Sequence, residues 1–141
     1  MKIQQEIIDE IEEEIDQFLK RHAIDEKQMQ SLLKAPALLN MLNQLYVESD
    51  LPLKKDLEVS SAVRYINSIY DFLPADFSGP MGSLDDILVA ALVLKKLDKT
   101  IDLSKYCDKK PNFDQISKDI IELGEEYLPD YVHQRIQREF A

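Results

Sequence analysis

Four aspartates, Asp71, Asp76, Asp85 and Asp86, fall within the segment Asp71–Asp86, which reads DFLPADFSGPMGSLDD. Carboxylates gathered this way could hold a hard divalent cation, because Mg2+ and Ca2+ take oxygen ligands. A metal-binding protein or metal-dependent enzyme built on this acidic loop is therefore one expectation, with Mg2+ or Ca2+ as the ion. The spacing limits it. Successive residues on a helix project about 100° apart, so Asp85 and Asp86 are poorly placed to share one ion. The segment also lacks the EF-hand ligand pattern.

The same residues have a structural use, which is the preferred reading. Ser83 followed by Asp86 forms a Ser-x-x-Asp variant of the capping box. Asp85 would lie in the first helical turn, where the helix dipole favours negative charge. Asp71 is different: it closes the preceding helix, where the dipole opposes a carboxylate. It therefore needs a partner, either the N–H groups of the facing helix start or Arg64 two turns earlier.

Other chemistry-bearing residues are scattered. Asp130 and His133 are three apart and can share a helix face, but a helical di-metal site needs a second such unit. His22 has no acid three residues before it, so a surface pair is expected for Asp130 and His133. Cys107 is the single cysteine. It excludes an intramolecular disulfide, suits a reducing cytoplasm, and reads as a structural thiol rather than a nucleophile. No phosphate-binding loop, dinucleotide-binding glycine pattern or zinc spacing is present in the sequence.

These residues must be carried by helices. Glycine occurs only three times in 141 residues, and Leu, Ile, Glu, Lys and Gln are abundant, which favours helix over strand and turn. Ile3, Ile7, Ile8, Ile11, Ile15, Phe18 and Leu19 recur at helical steps. The opposite face carries Glu6, Asp9, Glu10, Glu12, Glu13, Glu14 and Asp16. It reads as a solvated face or, more sharply, as a docking face for a basic partner or half of a helix pair.

Asp25 predicts an N-cap for a short helix to Lys34, and Pro36 suits the first turn of the next, with Leu38, Leu39, Leu42, Leu45 and Tyr46. Asp56 to Tyr70 predicts a helix with Leu57, Val59, Val63, Ile66, Ile69 and Tyr70 as its apolar positions; it must stop before Pro74. A turn at Asp76–Gly82 leads to a helix over Ser83–Leu97 that is apolar on nearly every side between Ile87 and Leu94, and so central. Ile101–Tyr106 predicts a short helical turn. Asn112 or Pro111 opens a helix with Phe113, Ile116, Ile120, Ile121 and Leu123, and Pro129 opens the last. Tyr127 and Tyr131 are expected to pack with Leu128 and Phe140.

The segment Tyr70–Leu97, YDFLPADFSGPMGSLDDILVAALVLKKL, resembles domain-of-unknown-function family 1232 (DUF1232), the YkvA-like proteins. The residues carrying the resemblance are Asp71, Phe72, Leu73 and Pro74, then Gly82, then Asp85 and Asp86 opening an apolar helix. The acid that usually follows the proline is replaced by Ala75, with Asp76 one place later. The resemblance covers about a fifth of the chain and implies a helical hairpin without an assigned activity.

Charge bounds the partners. The formal net charge is −10, which repels nucleic acid and anionic membranes at long range. Lys95–Lys110 is locally basic but contains only Tyr106 as an aromatic, without the interleaving of a nucleic-acid surface. Its lysines offset the acidic first helix, within one chain or between two. The run Ile87–Leu94 falls far short of the roughly 20 residues of a membrane span. The N-terminal stretch lacks the basic and then apolar order of a signal peptide.

The expectation is a single all-α domain over residues 1–141, a bundle of six or seven helices with its hairpin at about 56–97. Two functions follow. One is a non-enzymatic cytoplasmic interaction or regulatory module, including a homodimer. The other is the metal-binding protein or enzyme of the Asp71–Asp86 loop.

Overall fold

Apolar residues at helical spacing set seven α-helices and one 3-10 turn in the computed structural model, which describes residues 1–48, 50–68 and 81–141. They are α1 (Gln5–Arg21), α2 (Glu26–Leu33), α3 (Ala35–Val47), α4 (Leu53–Asn67), α5 (Leu84–Asp98), the 3-10 turn (Leu103–Tyr106), α6 (Phe113–Tyr127) and α7 (Asp130–Phe140). The described residues contain no strand, and the fold is an all-α bundle.

Helix α5 is the axis. Ile87 through Leu94 are all buried, and α3, α4, α6 and α7 pack around them. A helix without a polar face has no side to give to water, so other helices must close over it. Helix α1 lies against α2 and α3, and α2 lies against α6. The first three helices thus share one continuous core with the rest.

Local signals explain most boundaries. Asp25 accepts the Lys27 N–H and Asn112 accepts the Gln115 N–H, each capping the helix that follows. Pro36 sits in the first turn of α3, where its missing N–H costs nothing. Three expectations are corrected. Helix α4 starts at Leu53, directly after Pro52, rather than at Asp56, because proline pre-sets the backbone for a helix start. It ends at Asn67, with Ser68 already extended. Leu57 is not a core position but 57% exposed. It lies on the side of α4 opposite Val59, Val63 and Ile66, as the helical angle dictates. Tyr65 is buried in its place.

The residues before α1 do not continue its helix. Ile3 is buried, its N–H donates to Asn43 Oδ1 at 2.7 Å, and Asn43 Nδ2 donates back to the Ile3 carbonyl at 3.0 Å. A side-chain amide is thereby used as a two-way clasp on a single backbone unit. Asn67 Nδ2 likewise donates to the Lys2 carbonyl at 3.0 Å.

Candidate functional site

The start of α5 is anchored from two sides. Asp85 is fully buried, and its Oδ2 accepts the Tyr65 hydroxyl at 2.7 Å. The end of α4 is thus fixed against the start of α5. At the other end of the pair, Glu58 and Ser61 of α4 border the same cleft as Val93 and Lys96 of α5. The two helices run antiparallel, as expected of a hairpin. Asp86 is also buried. Asp71 and Asp76 lie outside the described residues, so their expected meeting with Asp85 or Asp86 does too. Among the described residues, no group of three or more His, Cys, Asp or Glu side chains is arranged to hold a metal ion.

The expected Ser83 cap is corrected. Ser83 is the residue before α5, but its side chain caps nothing. Its hydroxyl donates instead to Glu14 on α1. Gly82 allows this approach: a Cβ there would stand 3.3 Å from Glu14 Oε1. Its φ is not in the left-handed region, so space, not torsion, is what this glycine supplies. Glu14 therefore leaves the acidic face of α1 and joins the α5 junction.

The rest of that acidic face is exposed. Glu6, Asp9, Glu10, Glu12, Glu13 and Asp16 are all solvent-facing. Local partners touch two of them: Gln5 donates to Asp9 at 2.9 Å, and Lys20 pairs with Asp16 at 3.2 Å. Among the described residues, no ion pair joins this face to the lysines of Lys95–Lys110. Lys110 instead pairs with Asp98 at 2.7 Å, which raises its pKa, and Lys105 lies over the Tyr106 ring at 5.2 Å. The basic stretch does not neutralise α1 within the chain. A groove of about 770 Å³ runs between Asp9, Glu12, Glu13 and Asp16 on α1 and Leu33, Pro36 and Ala37 at the α2–α3 corner. Its far wall is apolar.

Two buried polar clusters went unforeseen. His133 is buried, not half of a surface pair with Asp130, which is exposed. Its Nε2 lies 3.1 Å from the Ile121 carbonyl, and Gln137 Nε2 lies 2.9 Å from Nδ1. This pattern fits the tautomer that donates from Nε2. Gly124 makes the room, since a Cβ there would stand 2.6 Å from His133 Cδ2. Asp119, also buried, accepts from Ser31 at 2.6 Å and Gln115 at 3.0 Å, tying α6 to α2. Cys107 is half-buried and its thiol faces the Leu103 carbonyl at 3.6 Å. The tyrosine expectation is also corrected. Tyr127 meets Phe18 edge-on at 5.1 Å, Tyr131 is exposed, and Phe140 packs against Tyr65 at 5.6 Å.

No family model, curated protein or solved structure matches the chain. No helix among the described residues is long and apolar enough to cross a membrane.

Proposed function

We propose that this chain is a non-enzymatic cytoplasmic protein-interaction or regulatory module, and that its working surface is the outer face of α1 with the groove beside it. The observation that carries this reading is the coincidence of exposed carboxylates, of which Asp16 alone has an ion-pair partner among the described residues, with an apolar wall across one groove. Large solvent-facing apolar groups beside organised charge are the usual make-up of a recognition surface. Three of the buried titratable groups, Asp85, Asp119 and His133, are each engaged in hydrogen bonds that join helices. That engagement supports a structural use for them.

The family-1232 resemblance enters this reading through the hairpin alone, which the antiparallel α4–α5 pair supports. The metal-dependent alternative keeps Asp71 and Asp76, with either Asp85 or Asp86, as ligands of Mg2+ or Ca2+. The Tyr65 hydroxyl on Asp85 favours the structural role over it.

Measurement of the solution mass, with a pull-down using wild-type chain and a variant carrying lysine at Glu12 and Glu13, tests the proposal. A homodimer or a retained partner that the variant loses is the expected result. A strict monomer that retains nothing through this face would count against it.

A further inference from the structure

The α1 groove has two unlike walls, and together they specify a kind of occupant. Asp9, Glu12, Glu13 and Asp16 occupy positions i, i+3, i+4 and i+7, a single stripe. At a rise of about 1.5 Å per residue the stripe is about 10.5 Å long, two helical turns. Facing it, Leu33 is 51% exposed at the end of α2, with Pro36 and Ala37 following at the start of α3. Ile15 closes the floor. The groove's volume of about 770 Å³ is large enough to seat several side chains.

Resting on the interaction reading above, we propose that this groove receives a basic amphipathic helix of another protein. Lysines or arginines spaced at i, i+3 or i+4, and i+7 would meet the α1 stripe. A large apolar side chain on the same helix would cover Leu33, Pro36 and Ala37. The charge pattern selects this occupant. Four carboxylates on two turns repel one another, and Lys20 on Asp16 is the sole ion pair this stripe makes among the described residues. A cationic helix relieves that repulsion and is steered in by the net charge of −10. The apolar wall gives a docked helix an anchor that diffuse attraction lacks.

The test uses three labelled synthetic peptides and the full chain, read by fluorescence anisotropy. The first is a lysine–leucine helix with its charges at the stated spacing. The second is the same composition scrambled, and the third has leucine replaced by serine. The first should bind saturably, and raised salt should weaken it. Glu12→Lys with Glu13→Lys should weaken it about tenfold or more, and Leu33→Asp should also weaken it. Asp108→Lys with Asp130→Lys makes the same change in net charge away from the groove and should have a much smaller effect. Circular dichroism of each variant checks that it folds.

Equal losses from both double variants, or equal binding of the scrambled peptide, would reduce the effect to general charge attraction and overturn the proposal. Sedimentation of the chain alone adds a further outcome. Self-association abolished by Glu12→Lys with Glu13→Lys would make a second copy the occupant, overturning the basic-helix proposal while leaving the interaction reading standing. Cross-linking of a bound partner to another face of the bundle would have the same consequence.

Discussion

Tyr65 and Asp85 are joined by a buried hydrogen bond of 2.7 Å that locks the end of α4 to the start of α5. The bond spans a connection of which 69–80 lie outside the described residues. A carboxylate without exposure depends on such donors, because water cannot replace them. Tyr65→Phe should therefore lower stability by about 1–3 kcal/mol in urea unfolding. Asp85→Asn keeps an acceptor and should cost less than Asp85→Ala. Equal losses from the two would show that the site needs the charge rather than the hydrogen bond.

Gly124 and His133 give a second test. Alanine is the better helix former by about 1 kcal/mol, so Gly124→Ala on α6 would ordinarily stabilise. Here its Cβ would stand 2.6 Å from His133 Cδ2. Because Ile121 and Gln137 hold that ring, overpacking should win and the variant should lose about 1–3 kcal/mol. Gly124→Ala combined with His133→Ala should be less destabilised than the sum of the single changes, a non-additivity that chemical denaturation measures directly.

Ser31→Ala removes the donor to Asp119 that ties α2 to α6. A loss of about 1–2 kcal/mol is expected, since Asp119 is buried while Gln115 still serves its other oxygen. Hydrogen exchange should show α2 opening more readily than in the wild type. An unchanged α2 would mean that its apolar contacts alone hold it.

Tyr127 supplies a pH test. Burial raises its pKa above the ordinary 10.0, and the charge of Glu126 adds to the shift. The folded chain thus holds the phenolic proton more tightly than the unfolded chain does. The associated stability is fully present below pH 10.0 and is lost as pH rises through the raised value. Tyr127→Phe should flatten that part of the alkaline stability curve, read against the tyrosinate absorbance of the wild type. An unaltered curve would assign the alkaline loss to other groups.

Divalent cations decide between the two readings of the aspartates. Millimolar Mg2+ or Ca2+ is expected to leave the melting temperature unchanged. A shift abolished by Asp86→Asn would instead bring the metal site forward.

The helices were legible because periodicity is local. Ile8, Ile11, Ile15 and Phe18 announce α1, and the run from Ile87 to Leu94 announces the axis, with no knowledge of any neighbour. The caps at Asp25 and Asn112 are equally local. Asn43, Ser31, Tyr65 and His133 were not legible, because each finds its partner across a fold that spacing alone does not encode. Ser83 shows the same limit in reverse: its position fitted a capping box, but Glu14, distant in sequence, takes the hydroxyl. At the α1 surface the acidic stripe could be read directly. The apolar wall opposite could not, since Leu33 belongs to another helix and its exposure follows from packing.

The central place of α5 also bears on how the chain comes apart. Neighbours from both sides in sequence, α3 and α4 before it and α6 and α7 after it, close over the same eight apolar residues from Ile87 to Leu94. Neither half of the polypeptide can lose its hold without baring the axis to water. Proteolytic nicking within the bundle should therefore leave two pieces that stay together until both unravel, and the α5 amides should exchange only when the whole molecule opens.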